Sequence, residues 1–284
     1  MAQRLIETIS AVFPEIQVDH AVITGGQNNS VVMVNGEWVF RFPRYAEGVE
    51  QLKKETRFLK LVHEPLPVQV PDPVYSSLDG ARVGEAFVGY RRIDGNSLKT
   101  YSGNKHEIVR ELGRFLNVLH GLPLNEDLRG VLGPPDNEYA DWYDMFTRME
   151  AKLFVHMNDN ARSKVQDNFK RFLAEIGDAR LKKTVIHGDF GPSNLLIKDG
   201  HVSGVIDFGS VAIGDPARDI ASAFFGPFGL GESWMPEVAA VYPQAADYIE
   251  RARFYASTFA LQEALFGIEN DDEQAFQAGI AVYK

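Results

Sequence analysis

The sequence predicts an α+β protein in two parts, with antiparallel strands gathered near the start and helices dominating afterwards. Three observations carry this reading. AVITGGQNNSVVMVNGEWVFRFPR reads as strand, turn, strand, turn, strand, with Asn35-Gly36 marking a tight hairpin. Leu112, Phe115, Leu116 and Leu119 fall on one helical stripe, and Val165, Phe169, Phe172, Leu173 and Ile176 on another. The chain has 284 residues, enough for two lobes with a core each.

Composition narrows the function classes. Hydrophobic residues make up 45% and charged ones 24%, the balance of a globular chain. A net charge of −10 and a pI near 5.2 argue against nucleic acid or an anionic membrane as partner, and permit a cationic one. With no cysteine, disulfides, thiolate metal sites and cysteine nucleophiles are all excluded. No apolar run reaches the length of about 18 residues that spans a membrane. The N-terminus lacks a basic segment followed by an apolar stretch, so a cytoplasmic location is expected.

Taken in order, Leu5, Ile6, Ile9, Val12 and Phe13 have helical spacing and Pro14 ends that helix. The connection Gly25 to Ser30, rich in backbone amides and small polar groups, lacks the full spaced-glycine pattern and reads either as a loop that folds over phosphates or as a plain turn. In VFRFPR, alternation puts Val39, Arg41 and Pro43 on one face and Phe40 and Phe42 on the other, which leaves Arg41 either inward or solvent-facing. VEQLKKETRFLKLVHE is helical through Val49, Leu52, Thr56 and Leu59, with Glu55 beside that stripe. Pro65, Pro67, Pro71 and Pro73 then impose an extended connection. A strand follows to about Ile93, with a turn at Asp94-Gly95.

The most informative stretch is VIHGDFGPSNLLIKDGHVSGVIDFGSVAIGDPARDIA, residues 185 to 221. Leu195, Leu196 and Ile197 read as one strand, Val202, Val205 and Ile206 as its partner, and Asp199-Gly200 as the turn. Antiparallel strands return the chain to its starting point, so Asp207 is expected beside Asn194 and Asp189. Two carboxylates and an amide oxygen converging there make a hard-oxygen site suited to magnesium, and so to phosphate.

His187-x-Asp189, Asn194 and Ile206-Asp207-Phe208-Gly209 resemble the catalytic and metal loops of kinase-like phosphotransferases. The fuller wording HGDFGPSNLL…IDFG…GDPARD, with Gly188 in place of an arginine, resembles the aminoglycoside phosphotransferase family. WVFRFPR, ETRFLKLVH, GVIDFG and the ending QEALFGIENDDEQAFQAGIAVYK look like the members that modify a 2''-hydroxyl, so the resemblance covers nearly the whole chain.

The resemblance implies a two-lobed protein-kinase-like fold, with an antiparallel-sheet nucleotide-binding lobe over 1–93 and a mainly helical catalytic and acceptor lobe over 94–284. It implies transfer of the γ-phosphate of GTP or ATP to a hydroxyl of a cationic aminoglycoside, assisted by Mg2+. Asp189 would be the catalytic base, and Asn194 and Asp207 the metal ligands. Ser30, Arg41, Glu55, Tyr90, Arg91 and Ile93 would serve the nucleotide: Arg41, fixed by Glu55, on the phosphates, Tyr90 at the inner wall of the base pocket, and Arg91 and Ile93 through hinge backbone groups. Asp219 would brace the catalytic loop, Asp215 would cap the helix near Ala217, and His120 is expected as a cap or surface residue.

Several features depart from the family pattern. Arg41 stands where kinases carry lysine, Ser210 stands where many relatives have Asp, and Gln262 near where they place an acid. The acidic run after the brace helix is replaced by FFGPFGLGESWMPEV. Acceptor binding is therefore expected from Glu232, Trp234, Glu237 and Glu263, with Glu269, Asp271, Asp272 and Glu273 able to compensate, although the last three read as a solvated face. Phe224, Phe225, Phe228 and Trp234 suggest a more apolar pocket, which makes a macrolide phosphotransferase, or a metabolite kinase of the same fold, the alternative. Arg41 also keeps open a nucleotide-binding pseudokinase.

Overall fold

A computed structural model describes residues 2–25, 29–62, 66–178, 181–226 and 228–284. Gly26 to Asn28 of the glycine-containing connection, and Pro65 of the proline run, lie outside the described residues. The chain forms two compact units. The first comprises Met1–Val118, Pro123–Gly133 and Ser193–Val211, and the second Leu119–Leu122, Pro134–Pro192 and Ala212–Lys284. The hairpin following Asn194 thus belongs to the same compact unit as the N-terminal sheet.

In the first unit, helix α1 (Ala2–Val12) precedes strands β1 (Ala21–Gly25), β2 (Asn29–Val34) and β3 (Trp38–Pro43). Helix α2 (Ala46–Val62), then β4 (Tyr75–Ser77) and β5 (Phe87–Arg91), complete a sheet of order β1-β2-β3-β5-β4, antiparallel throughout. This five-stranded sheet is the antiparallel sheet expected of the first part of the chain. Asn35 and Gly36 take φ of 54° and 70°, the left-handed turn that Asn-Gly is suited to. The Asn35 side chain also accepts the N–H groups of Asp19 and His20 at 3.0 Å each, tying the turn to the approach of β1.

Period-two alternation splits the sheet chemically. Val32, Val34, Phe40, Phe42 and Phe87 pack with Leu5 and Ile9 of α1 into one core. Val88 joins Val49 and Leu52 of α2, with Leu78 and Ala86, in another. Arg41 goes with the α2 side and is buried. The solvent-facing reading of Arg41 is thereby excluded.

Helix α3 (His106–His120) buries Leu112, Phe115, Leu116 and Leu119 completely, as its stripe requires. Leu195–Lys198 and His201–Val205 form the expected hairpin, with Asp199 and Gly200 at φ of 52° and 83°. Asn96–Ser97 pairs with its first strand to give three.

The second unit is mainly helical. Helices Glu138–Leu153, Asp159–Asp178 and Ile249–Ser257 enclose an aromatic core of Trp142, Phe169, Phe172, Phe254 and Tyr255. The Phe172 and Phe254 rings stack at 3.6 Å. One short ribbon, Thr184–Ile186 paired with Ala212–Gly214, carries the two ends of the motif-bearing stretch.

Candidate active site

Arg41 sits at the centre of the first unit's polar cluster. Its Nη1 donates to Glu55 Oε1 at 2.6 Å and its Nη2 to Asp207 Oδ1 at 2.7 Å. The Phe208 N–H donates to the same Glu55 oxygen at 3.1 Å, so one carboxylate fixes both the arginine and the loop after Asp207. Burial alone would lower the Arg41 pKa, but Glu55 and Asp207 outweigh it and the guanidinium stays charged. Two well-formed, charge-assisted bonds are what make this buried cation tolerable.

Asp207 lies in the left-handed region, at φ 66° and ψ 67°. For a residue other than glycine that costs about 1–2 kcal/mol. The Phe208–Glu55 bond and the fully buried Phe208 ring, 5.8 Å from Phe58, hold it there. The Asp207 side chain is 46% exposed, in contrast to the buried Arg41 and Glu55. Asn194 is buried one residue before the hairpin, and its carbonyl accepts the Ile206 N–H at 2.9 Å. Asn194 and Asp207 thus close the two ends of one hairpin, as anticipated.

Among the described residues, no group of three or more His, Cys, Asp or Glu side chains is arranged to hold a metal ion. An aspartate with an asparagine fits magnesium all the same, because this ion is held by one or two protein oxygens with phosphate oxygens and water completing its shell.

Tyr90 of β5 is buried opposite Val39, and burial pushes its hydroxyl up to about 12 against the opposing pull of Arg41. The structure therefore brings Arg41, Glu55, Asp207 and Tyr90 together. Ser30, buried where β2 begins, accepts from Arg44 Nε at 3.3 Å. Arg91 is exposed, ion-paired with Glu37, with its guanidinium 4.8 Å from the Trp38 ring, whereas Ile93 is buried.

In the second unit, His187, Gly188 and Asp189 leave the Thr184–Ile186 strand as a tight loop. Gly188 has φ 81°, which a side chain would strain. Asp219 is fully buried, and its two oxygens accept the His187 N–H at 2.7 Å and the Gly188 N–H at 2.8 Å. Burial would raise its pKa, but the hydrogen bond from His120 and, after it, that from the His187 N–H hold it below the ordinary range. Asp219 is thus the expected brace. Asp189 itself is exposed at the loop, its N–H donating to His187 Nδ1 at 3.2 Å. Asp215 accepts the Ala217 N–H at 3.0 Å as expected, and is gripped by Arg251 at 2.7 and 3.1 Å and by the Tyr255 hydroxyl at 2.9 Å.

His120 departs from expectation. It is neither a cap nor a surface residue but a buried link, with Nε2 3.0 Å from Asp219 and Nδ1 2.9 Å from the Tyr242 hydroxyl. Its helix ends in the interior, and a histidine there needs partners on both ring nitrogens.

A cavity of about 280 Å³ in the second unit has Gly188 in its wall together with Asp136, Glu138, Asp141, Arg218 and Gln262. Arg218 Nη1 donates to Asp136 at 2.7 Å, and the Asp215 N–H donates to Glu138 at 3.1 Å. Burial pushes the Glu138 carboxyl up, with Arg218 opposing.

None of the anticipated acceptor residues lines this cavity. Glu232 is exposed and paired with Arg253, Glu263 is exposed, and Trp234 and Glu237 are half-buried near the helix Met235–Val241. Phe224 is core and Phe228 is 64% exposed, so the aromatic stretch does not make the cavity apolar. Asp272 caps the last helix, Asp271 and Glu273 are exposed, and Glu269 is held at about 2 by Arg148 and Lys152. The acids that do line the cavity come from DNEYAD, residues 136 to 141. Its sequence signal was three acids in six residues around an Asn137 N-cap.

A sheet lobe carrying an Arg–Glu–Asp cluster, and a helical unit carrying a braced His-x-Asp loop, define a kinase-like phosphotransferase. The model of the phosphotransferase enzyme family matches residues 19–255, and the chain belongs to that family. It is 29% identical over 297 residues to the viomycin phosphotransferase of Streptomyces vinaceus, covering 99% of this chain and all of that one. The structure of an APH(2") enzyme with GDP and kanamycin superposes with a TM-score of 0.88 at 25% identity, over 98% of this chain and 96% of the other. The macrolide 2'-phosphotransferase MphH of Brachybacterium faecium shares the fold, with a TM-score of 0.76, 18% identity and coverage of 99% and 97%.

Proposed function

We propose that this phosphotransferase moves the γ-phosphate of GTP or ATP to a hydroxyl of a cationic, aminoglycoside-type antibiotic. The observation that carries the acceptor class is the acidic cavity beside Gly188, where three carboxylates face one arginine and favour a ligand bearing protonated amines. Of the named relatives, the kanamycin-bound APH(2") enzyme supports the aminoglycoside class, and the viomycin phosphotransferase supports an antibiotic acceptor more broadly. Asp136 and Asp141 take the role first expected of Glu232, Trp234, Glu237 and Glu263.

In this reading residues 1–93 serve the nucleotide and residues 94–284 the chemistry and the acceptor. Arg41, oriented by Glu55, donates to the non-transferred phosphates, and Tyr90 closes the inner end of the base site. Ser30, at the start of β2, serves the phosphates, and backbone groups at Arg91 and Ile93 meet the base. Asp189 orients the acceptor hydroxyl and takes its proton, a role for which an exposed carboxylate on a rigidly braced loop is suited. Asn194 and Asp207 hold Mg2+, which when bound neutralises charge on the phosphates. Among the described residues no helix is long and apolar enough to cross a membrane, and we place the reaction in the cytoplasm.

The test is a mass-spectrometric screen for the gain of one phosphoryl group. Kanamycin, gentamicin, viomycin and macrolides would be offered with Mg2+ and either GTP or ATP. Phosphorylated kanamycin, gentamicin or viomycin is the expected result. Product from macrolides alone would overturn the aminoglycoside-type acceptor.

A further inference from the structure

Arg218 stands next to Asp219 on the short helix Ala217–Ile220, and it lines the cavity that Gly188 borders. A guanidinium carries five N–H donors in a fixed fork and no acceptor. Among the described residues, Arg218 spends these donors on one side-chain hydrogen bond, from Nη1 to Asp136 Oδ2 at 2.7 Å. The side chain is 33% exposed, and among the described residues none of its nitrogens is both buried and unpartnered. The unspent donors are therefore reached from the cavity.

Asp136 is held from three sides. Its N–H donates to the Ile213 carbonyl at 2.9 Å, its own carbonyl accepts from Lys183 Nζ, and its carboxylate accepts from Arg218. A Cβ at Gly214 would lie 3.1 Å from Asp136 Oδ2 and 3.4 Å from Glu138 Oε1, so that glycine leaves room for both carboxylates. Burial would lower the Arg218 pKa, but Glu138 and Asp136 outweigh it and the guanidinium stays charged. Asp141, in the same wall, is exposed and has no ion pair among the described residues. The cavity thus has a cation with donors to spare and, apart from it, an acid with no cation. A protonated amine set against Arg218 meets a like charge, whereas an oxygen there gains a charge-assisted bond.

We propose that Arg218 is a specificity-determining residue, which donates to a hydroxyl or carbonyl oxygen of the acceptor and turns the acceptor's protonated amines toward Asp141. Gly188 precedes Asp189, so the oxygen bound by Arg218 belongs to the part of the acceptor presented to the catalytic loop. The acceptor class is a cation whose reacting hydroxyl has an oxygen, not an ammonium group, as its neighbour in the cavity. This rests on the reading of the cavity as the acceptor site, and the test separates the two.

The experiment measures calorimetric binding of kanamycin and of viomycin to the full-length protein and to Arg218→Met, Arg218→Lys and Asp141→Asn. Turnover with Mg2+–GTP is followed for each probe that binds. The sign of the change is the readout. Arg218→Met removes a positive charge, so if Arg218 were only a counter-ion to Asp136 the cationic probe would bind more tightly. A donor to the acceptor's oxygen requires the opposite: affinity about tenfold weaker, the acceptor KM raised by the same factor, and the KM for GTP within about twofold. Arg218→Lys keeps the charge without the fork and should weaken binding by about threefold. It also keeps a cation for Asp136, so it decides the matter if Arg218→Met does not fold.

Tighter or unchanged binding in folded Arg218→Met overturns the proposal, and weaker binding in Asp141→Asn then leaves the cavity as the acceptor site. Without folded Arg218→Met, wild-type or higher affinity in Arg218→Lys overturns it. Binding indifferent to all three substitutions, or absent from the wild type for both probes, removes the acceptor reading of the cavity and the role of Arg218 with it.

Discussion

Each compact unit carries acids gathered about one arginine, and the two clusters differ in how closely that arginine binds its partners. In the first, the Arg41 fork reaches both Glu55 and Asp207 at 2.6 and 2.7 Å, and of the three side chains only Asp207 is exposed. In the second, Arg218 holds Asp136 at 2.7 Å, while Glu138 and Asp141 share the same cavity wall. The first cluster is tightly bonded and nearly self-neutralised, as its proposed role on phosphates and a small metal ion requires. The second leaves surplus negative charge in an open space of about 280 Å³, as a site must that takes a larger, softer cation. On the proposed reading, the difference separates a chemistry site from a recognition site.

The largest effect is expected outside both clusters, at Asp189, the proposed catalytic group. Asp189→Asn keeps size and removes the carboxylate, and turnover should fall by roughly 10²–10⁴ with nucleotide affinity nearly intact. Single-turnover kinetics beside calorimetric nucleotide titration measure the two separately. Near wild-type turnover in this variant would leave the two clusters without a catalytic group.

Next comes Arg41, which tests whether the first cluster is as rigid as its geometry implies. Arg41→Ala leaves Glu55 buried and unpaired, a loss of about 3–5 kcal/mol in stability, and removes the phosphate contact as well. Arg41→Lys keeps the charge without the fork, so activity should be intermediate and the melting temperature nearer wild type. Equal activity in all three proteins would make the Arg41 bonds to Glu55 and Asp207 irrelevant to catalysis.

The two clusters were not equally legible in the sequence. The first was visible because its parts sit in fixed local contexts: a strand reading VFRFPR, a helical stripe that sets Glu55 beside buried residues, and a hairpin whose Asp-Gly turn brings Asp207 back to Asn194. What alternation could not decide was the face that Arg41 takes. That depends on α2 supplying Glu55, a contact between residues fourteen apart in the chain. The five-stranded sheet was legible for similar reasons, since turn chemistry and period-two patterning are local.

The second cluster was not legible. Asp136, Glu138 and Asp141 look like an ordinary acidic first turn of a helix, and only the fold places them with Gly188 and Arg218 in one wall. Expectation went instead to Glu232, Trp234, Glu237 and Glu263, by position relative to the brace helix. His120 was misjudged for a related reason: a helix-terminal histidine looks exposed until the element that buries it is known.

A third prediction therefore addresses the acids of the second cluster. Asp136→Asn and Asp141→Asn should each raise the KM for a cationic acceptor about tenfold, equivalent to roughly 1.4 kcal/mol, with kcat little changed. The wild-type KM should also rise with salt, and less steeply in the variants, because the attraction is electrostatic and partly screened. Asp136→Asn additionally frees Arg218, so its effect should exceed that of Asp141→Asn. A KM indifferent to both substitutions and to ionic strength would make the cavity a structural pocket and return acceptor recognition to residues near Glu232 and Trp234.

The smallest effect concerns the choice of nucleotide, where the rigidity of the first cluster should be felt by the base. Tyr90 is buried on the strand that pairs with β3, and burial holds its hydroxyl protonated up to about 12, so at neutral pH it is a bulky neutral group beside Arg41. A base in the deep position needs the room this ring fills. Guanine, placed further out, can recover hydrogen bonds from backbone groups near Arg91 and Ile93, while adenine loses more than it regains. One buried base contact is worth on the order of 1–3 kcal/mol, so kcat/KM should favour GTP by about tenfold. Tyr90→Ala opens the space and should improve ATP use more than GTP use, while Tyr90→Phe, which keeps the bulk, should leave the preference in place. Comparison of kcat/KM for the two nucleotides in the three proteins decides between bulk and hydroxyl. A wild-type preference for ATP that Tyr90→Ala does not alter would mean that Tyr90 packs against Arg41 without reaching the base, and that the first cluster positions phosphates alone.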